Sequence, residues 1–350
     1  MHTIDGSLGQ GGGYTVRLAL ALAAVTRQPV TITGIRRNRR APGLRADLVA
    51  VAKAMATITR GRVDGDAVGS HELQFLPGTT ISGSFEFTIP GEGLAHSAVT
   101  NLLQTALPLL VHAGAASELV LHGATHATNA PTTTYVQTVV LPTLRKFGVR
   151  CDMATDAWGW GDGPPGRVRV RIEPATSLRG ADLSQRGQML QIGGTSVANG
   201  LTEHFAERQR DFTARRISQL GSSAAINVQA VPCASPGGVL FLLAVFERAI
   251  AGFTAIASSG TAPENVAEAA VNELRAYLVS HRVLDRHLPD QILPFAALAD
   301  GPTVLSTSEI TAHTAAAASL IETMTAAKVT IDGEVGEPGE IEVIGAGSYR

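Results

Sequence analysis

Five glycines crowd the segment IDGSLGQGGGYTVR at residues 4–17, directly before an apolar run with helical spacing. Each glycine weakens a helix or strand by about 0.5–1 kcal/mol relative to alanine, so such a cluster indicates a required backbone conformation or a close backbone approach. A strand, a glycine loop and a helix start in this order would aim amide groups at one point, which suits an anion. Arg17 adds positive charge there. The segment has neither a Walker A nor a dinucleotide-binding glycine pattern, and a flexible surface loop is the alternative.

Arginines form the second cluster with possible chemistry. The segment GIRRNRRAPGLRADL contains Arg36, Arg37, Arg39, Arg40 and Arg45 around a Pro-Gly turn, between a strand-like and a helix-like run. Guanidinium groups bind phosphate through paired hydrogen bonds, and a turn can bring several of them together. The pattern favours phosphate contact over a solvated basic loop.

Two histidines complete the set. His287, Asp290 and Gln291 in DRHLPDQILPFAAL have the spacing of one face of a helical turn. His313 in SEITAHTAAAASLIETM lies where a strand-like segment meets a helix-like one, and its small neighbours leave room for a large ligand. A helix start there would favour an anion. Each histidine alone could be structural, so the residues by themselves indicate a phosphate-binding α/β enzyme with a candidate histidine.

The composition limits the class of protein. The chain has 350 residues, 45% hydrophobic and 17% charged, with a formal net charge of −2. That balance argues against broad contact with a nucleic-acid backbone, while a few arginines could still bind one RNA end. Cys151 and Cys233 have no metal-site spacing. No apolar segment is long enough to span a membrane or to act as a signal core, so we expect a cytoplasmic protein.

Strand-like and helix-like runs alternate along the chain in a β-α-β-β rhythm that recurs before residue 175, which predicts an α/β fold of repeated units. The fragment TIDG occurs at residues 3–6 and again at 330–333, a suggestive but short repeat. The middle of the chain differs, with a basic helical stretch followed by two strand-like runs. We therefore expect a large domain of residues 1–176 and 263–350, interrupted by a small α/β domain of residues 177–262.

Taken together and in order, these motifs resemble the RNA 3′-terminal phosphate cyclase family. The matching segments are DGSLGQGGG with the arginine after it, RAPGLRADL, HLPDQILPFAAL and ITAHT, joined by GRVDGDAVGSHELQFLPG, LLQTALP, NAP, GLTEHFAER and SSGTAPENVAEAA. The resemblance covers nearly the whole chain. It implies an α+β fold in which a large domain of repeated β-α-β-α-β-β units carries a smaller inserted α/β domain.

The resemblance also implies a reaction. A histidine attacks the α-phosphorus of ATP with the help of Mg²⁺ or Mn²⁺ and forms a covalent histidine–AMP. The AMP passes to an RNA 3′-phosphate, and the neighbouring 2′-hydroxyl displaces it to close a 2′,3′-cyclic phosphate. Adenylation supplies the leaving group that a phosphate monoester lacks. The partners would be ATP and an RNA 3′ end, with no membrane. The oligomeric state, monomer or homodimer, stays open.

The resemblance assigns roles to individual residues. His313 matches the nucleophile. The positions that match phosphate or acceptor contacts are Arg17, Arg36, Arg39, Gln10 and Tyr14. The positions that match the nucleotide site are His287 and Pro131 on the two faces of adenine, Tyr135 beside them, and the polar pair Asp290 and Gln291. The metal site is open, with Gln10, Asp290 and Asp5 as candidates.

Several positions depart from the family pattern. Where the loop usually reads Gly-Glu-Gly-Gly-Gly-Gln, this chain has Gln10 and Tyr14, and an amide is a poorer ligand than a carboxylate for a hard cation. Asp47 replaces a glutamine, and Ala316 and Ala317 replace a common Thr-Asn. Two alternatives to an RNA-end cyclase therefore remain. One is a related enzyme that adenylates the phosphate or acid group of a different acceptor, such as a small molecule, and the other is a non-catalytic protein that binds nucleotide or RNA. A more distant relation in fold is to enolpyruvate transferases.

Overall fold

The computed structural model describes residues 1–91, 98–160, 163–257 and 260–347. Ser97, the first residue of the segment SAVTNLLQTALPLLVHAG in which the sequence predicts a helix, lies outside these ranges. So do Gly161 and Asp162 of the segment WGWGDGPPG and the two serines at the start of SSGTAPENVAEAA.

The first repeated unit occupies the N-terminal part of the chain. Its elements are β1 (His2–Asp5), α1 (Gly13–Thr26), β2 (Val30–Thr33), α2 (Ala46–Thr59), β3 (Arg62–Asp64) and β4 (Leu73–Leu76). The strands form one sheet in the order β1-β2-β4-β3. The first two strands are parallel, as a crossover through a helix requires, and β4 runs antiparallel to both of its neighbours.

The second unit repeats this topology. Its elements are β5 (Ser84–Thr88), α3 (Val99–Leu110), β6 (Ser117–Gly123), a continuous helical segment, β7 (Arg150–Ala157) and β8 (Gly166–Glu173). The helical segment consists of α4 (Thr133–Tyr135), a π-helical turn (Val136–Val140) and α5 (Leu141–Arg145). The sheet order β5-β6-β8-β7 and the strand directions match those of the first unit.

Two short strands, β9 (Leu178–Arg179) and β10 (Asp182–Leu183), precede a module with a different strand order. The module contains β11 (Met189–Asn199), α6 (Phe205–Gln219), β12 (Ala224–Val228), β13 (Gly237–Phe246), β14 (Ile250–Ala257) and α7 (Pro263–Ser280). Its sheet has the order β12-β11-β13-β14.

The third unit resumes after this module. It adds α8 (Leu288–Ala297), β15 (Ala299–Asp300), β16 (Pro302–Thr307), α9 (Ala312–Met324), β17 (Lys328–Asp332) and β18 (Gly339–Ile344). Strand β10 pairs in parallel with β16, and the sheet order is β10-β16-β18-β17. The third copy of the β-α-β-α-β-β unit is therefore interrupted between its first strand and its first helix. The fold class predicted from the sequence is confirmed.

Packing bears on the limits of the inserted module. Strand β10 belongs to the sheet of the third unit, while α7 packs on α6, β13 and β14. The ring of Tyr277 in α7 lies 5.4 Å from that of Phe253 in β14, and Arg216 in α6 pairs with Glu268 in α7. The predicted limits of 177 and 262 stay a prediction, and from these contacts we propose a module from Met189 to Ser280.

The fragment TIDG does not mark equivalent positions of the repeat. Residues 3–6 include the end of β1, the first strand of the first unit, whereas residues 330–333 include the end of β17, the third strand of its unit. The four-residue identity is therefore no sign of the internal symmetry that the sheets show.

Helix α1 lies at the centre of the large domain. Helices α2, α3 and α9 all pack against it, and every residue from Leu18 to Val25 is buried. A helix covered from several directions is apolar all round, which explains the run LALALAAV. This burial fixes the glycine loop at its N-terminus relative to α9. Within the described ranges, no helix combines the length and the apolar character needed to cross a membrane.

Candidate active site

The glycine loop connects β1 to α1 and packs on the start of α9. Gly9 and Gly11 have φ angles of +62° and +59°, in the left-handed region that glycine adopts at little cost. A Cβ added at Gly9 would lie 2.9 Å from Ala316 Cβ and 3.0 Å from the Ala312 carbonyl oxygen. The loop therefore needs glycine both for its turn and for its close approach to α9.

Two arginines lie over the glycines that end the loop. Arg17 Nη1 is 3.1 Å from the place of a Cβ at Gly13, and Arg39 Nη2 is 3.5 Å from that at Gly12. Arg39 Nε also donates to the Gly11 carbonyl oxygen at 3.4 Å. Burial lowers the pKa of Arg17 to about 10, so this guanidinium stays charged at neutral pH. The glycine loop and both guanidinium groups thus form one positively charged surface, which could bind an anion.

Arg36 lies in the same arginine-rich segment as Arg39, but its side chain bonds to the backbone of that segment. Its Nη1 donates to the Gly43 carbonyl oxygen at 3.1 Å. Burial lowers the pKa of Arg36, as do Arg45 and Arg39, while the carboxylate of Asp47 raises it. Asp47 is buried and accepts two hydrogen bonds from Arg45, at 2.6 and 2.9 Å. This acidic residue offsets part of the positive charge that the arginines concentrate.

His313 is the second residue of α9, and its side chain is 35% exposed. Its imidazole stacks on the ring of Tyr14, with the centroids 4.9 Å apart and the planes inclined by 29°. Burial, and then the positive charges of Arg17, His287 and Arg39, lower the pKa of His313 to about 4. The imidazole is therefore neutral at pH 7, the form that can act as a nucleophile.

The carboxylate of Asp290 lies at the Nδ1 edge of this histidine ring. Its Oδ2 is 3.7 Å from His313 Nδ1, and its Oδ1 accepts hydrogen bonds from Thr314 Oγ1 at 2.7 Å and Thr311 Oγ1 at 3.2 Å. Burial raises the pKa of Asp290 to about 7, although both threonines lower it. Tyr14 Oη donates to the Asp290 backbone carbonyl at 3.0 Å. Asp290 can thus orient the Nδ1 side of the ring and leave Nε2 for chemistry.

A second buried carboxylate organises the turn before α8. Asp285 accepts hydrogen bonds from the amides of His287 at 3.0 Å and Leu288 at 3.1 Å, from Tyr135 Oη at 2.8 Å and from the Gly252 amide at 3.2 Å. Burial raises the pKa of Asp285 to about 6. This carboxylate fixes the turn that carries His287, whose own side chain is exposed.

The other nucleotide-site candidates lie on the two segments that this carboxylate joins. Pro131 is in the loop before α4, and its carbonyl oxygen accepts a hydrogen bond from Thr100 Oγ1 at 2.7 Å. Tyr135 follows in α4 and is buried, with its hydroxyl bonded to Asp285. Gln291 is half-buried in α8. The bond between Tyr135 and Asp285 therefore holds the segment of Pro131 against the start of α8.

The three candidate metal ligands differ in their exposure and in their hydrogen-bond and ion-pair partners. Asp5 accepts hydrogen bonds from Ser7 and pairs with Arg37 at 2.8 Å. Asp290 is buried beside His313, and Gln10 is exposed. Among the described residues, no group of three or more His, Cys, Asp or Glu side chains could hold a metal ion. These residues do not fit a metal held by a cluster of protein ligands.

The sequence reasoning assigned no role to three of the residues that organise this site. Thr311 and Thr314 hold the carboxylate of Asp290, and Asp285 holds the turn before α8. The threonines left a signal, because Thr311 caps α9 by accepting from the Thr314 amide and ITAHT could have been recognised as a helix start. Asp285 stands three positions before the helical run, where an acidic residue is also a start signal.

Comparisons with known proteins identify the family of this chain. A sequence model described as RNA 3′-terminal phosphate cyclase matches residues 8–331. An RNA 3′-terminal phosphate cyclase of Trichormus variabilis is 33% identical over 95% of this chain and 96% of its own. That of Methylococcus capsulatus is 36% identical over 94% of this chain and 92% of its own. A solved EPSP synthase from Acinetobacter baumannii, 12% identical, covers 99% of this chain and 65% of its own with a TM-score of only 0.30. On the sequence matches, the chain belongs to the RNA 3′-terminal phosphate cyclase family.

Proposed function

We propose that this protein is an ATP-dependent RNA 3′-terminal phosphate cyclase that works through a covalent AMP on His313. The observation that carries the proposal is the setting of this histidine. A neutral imidazole has the Tyr14 ring against one face and the Asp290 carboxylate at its Nδ1 edge, close to the charges of Arg17 and Arg39. Such a site brings a nucleophile and positive charge to one place, as attack on a phosphate requires.

The first step uses the nitrogen that Asp290 leaves free. The lone pair of His313 Nε2 attacks the α-phosphorus of ATP, an N–P bond forms, and the bond to pyrophosphate breaks so that pyrophosphate leaves with the electron pair. The proton on Nδ1 stays on the ring and faces the Asp290 carboxylate. Arg17, Arg39 and the amides of the glycine loop would offset the negative charge on the phosphates. The low pKa of His313 keeps the nucleophile unprotonated before it attacks.

The nucleotide would lie toward the start of α8. His287 is exposed there, and desolvation, followed by the charge of Arg286, lowers its pKa to about 4, so this imidazole is also neutral at pH 7. An imidazole face can stack on a base, and Pro131 on the neighbouring segment could cover the opposite face. Gln291 offers an amide that can both donate to and accept from a base edge. The hydroxyl of Tyr135 is bonded to Asp285, so this residue would act by packing.

The remaining steps transfer the AMP and close the ring. An oxygen of the RNA 3′-phosphate attacks the phosphorus of histidine–AMP, and the electron pair of the broken N–P bond returns to Nε2. The 2′-hydroxyl oxygen then attacks the 3′-phosphorus, loses its proton, and AMP departs with the electron pair of the broken P–O bond. The charge compensation proposed here comes from Arg17, Arg39 and the backbone amides of the glycine loop, and Mg²⁺ or Mn²⁺ bound mainly through the phosphates of ATP would add to it.

Incubation with ATP labelled at the α-phosphorus tests the first step. The protein should retain label in a bond that acid cleaves and base leaves intact, as a phosphorus–nitrogen bond to histidine does. His313→Ala should retain none, while His71→Ala, at an exposed histidine outside the site, should retain as much as the natural chain. Label that persists in His313→Ala would show that another residue is the nucleophile.

A second measurement identifies the acceptor. An RNA with a labelled 3′-phosphate should become resistant to phosphatase in the presence of ATP, and the same RNA with a 3′-hydroxyl should not react. Label on His313 without transfer to RNA would favour an enzyme with a small-molecule acceptor. Binding of ATP without any label on the protein would favour a non-catalytic nucleotide-binding protein.

A further inference from the structure

We propose that the ring of Tyr14 stabilises the positive charge that His313 acquires when it is adenylated, and that Tyr14 thereby sets how far the first step proceeds. This inference rests on the proposed function. It gives Tyr14 a positioning and electrostatic role toward the nucleophile in place of contact with the acceptor.

The geometry of Tyr14 supports this role. The residue lies in the first turn of α1, is half-buried, and stacks on the imidazole with a centroid distance of 4.9 Å. Its hydroxyl donates to the backbone carbonyl of Asp290, a residue 276 positions away. The tyrosine therefore contacts both members of the Asp290–His313 pair and holds the plane of the imidazole.

The charge on this ring changes during the reaction. Before attack the imidazole is neutral, with one proton on Nδ1. Once Nε2 is bonded to phosphorus, both nitrogens carry a substituent and the ring is a cation. Arg17 and Arg39 oppose a positive charge at this place, as their effect on the pKa of His313 shows. The intermediate therefore needs compensating groups that the free histidine does not.

Two groups supply that compensation. The carboxylate of Asp290 lies 3.7 Å from Nδ1, at the edge of the ring. The π face of Tyr14 covers one side of the ring, within the distance of about 6 Å at which an aromatic face attracts a cation. The interaction is stronger with the cationic ring than with the neutral one, so it favours the intermediate over the free enzyme. A glutamine, which the family pattern has at this position, offers no π face.

The equilibrium of adenylation with pyrophosphate tests the inference. Purified protein is incubated with labelled ATP and pyrophosphate at several ratios, and the fraction carrying AMP gives the equilibrium constant. Removal of a cation–π contact predicts about a 2- to 30-fold smaller constant in Tyr14→Leu and in Tyr14→Gln. Tyr14→Phe keeps the ring and should lose clearly less than either. The binding of a non-hydrolysable ATP analogue should change little in all three.

Several outcomes would overturn the inference. A constant in Tyr14→Gln equal to that of the natural chain would show that the ring is unimportant. A loss in Tyr14→Phe as large as in Tyr14→Leu would assign the effect to the hydroxyl. Label on the natural chain that disappears in His313→Ala establishes the histidine–AMP step of the proposed function independently, so failure of the inference can be told apart from failure of that step. Thermal unfolding of each variant shows whether it is folded. If Tyr14→Leu does not fold, the equilibrium constants of Tyr14→Phe and Tyr14→Gln test the inference.

Discussion

Replacing Gly9 with alanine should destabilise the glycine loop and slow the adenylation of His313. Gly9 has a φ of +62°, and an added Cβ would meet Ala316 Cβ at 2.9 Å and the Ala312 carbonyl oxygen at 3.0 Å. The second contact is with backbone in the first turn of α9, one residue before the histidine. The new methyl group must therefore displace either the loop or the helix start that carries the nucleophile.

The two costs can be estimated separately. An L-residue in the left-handed region costs about 1–2 kcal/mol. Crowding in a packed region adds about 1–3 kcal/mol. Gly9→Ala should therefore lower the free energy of unfolding by about 2–5 kcal/mol. Gly301→Ala is the matched control, because Gly301 has a φ of +86° with no atom within 4 Å of an added Cβ. That variant should show only the backbone cost.

Urea unfolding and labelling with ATP measure both effects. The combination of Gly9→Ala with Ala316→Gly removes one of the two close contacts, so part of the stability and part of the labelling rate should return. The carbonyl contact and the backbone cost would remain. Equal losses of stability in Gly9→Ala and Gly301→Ala, with a normal labelling rate in the former, would refute the claim that the loop is held against α9 at this glycine.

Three further substitutions test the rest of the site. Burial raises the pKa of Asp290 to about 7, so above that pH the charged carboxylate lowers the free energy of unfolding. The loss disappears below the pKa of Asp in the unfolded chain, about 4, because the group is then protonated in both states. Asp290→Asn should therefore raise Tm at pH 8 but not at pH 4 and still slow labelling, whereas a lower Tm at pH 8 would contradict this account. His287→Ala should weaken AMP binding by about fivefold or more in calorimetry if the imidazole stacks on the base, and unchanged affinity would exclude that contact. Arg39→Gln should reduce labelling at subsaturating ATP about tenfold or more, while Arg40→Gln at the adjacent exposed arginine should have little effect, and equal effects would argue against a specific phosphate contact.

Much of this protein follows from local sequence. The run LALALAAV is apolar in every direction, which marks α1 as a central helix, and alternation in GRVRVRIEP marks β8. The glycines, the arginines, the α8 motif and the histidine segment are each recognisable from residue types within a few positions, and their order identifies the family. These features depend on backbone preferences and on periodicity, which neighbouring residues determine.

Other features depend on residues that are distant in sequence. Strand β11 runs through Gly193 and Gly194, which weaken the strand pattern in the sequence. Gly194 is needed there because an added Cβ would lie 2.6 Å from the Phe241 carbonyl oxygen in β13. The limits of the inserted module depend on the pairing of β10 with β16 and on the packing of α7. No local pattern contains that information, because a strand or helix of the same sequence could pack on either side.

The chemistry of the histidine was likewise decided by tertiary structure. The sequence singled out His313, Asp290 and Tyr14 as separate candidates, but it could not show that the Tyr14 ring lies over a face of the imidazole and the Asp290 carboxylate at its Nδ1 edge. Nor could it show that two arginines and burial keep that imidazole neutral. A pKa depends on burial and on charges within a few ångströms, and only the packing of α1, α8 and α9 brings those groups together.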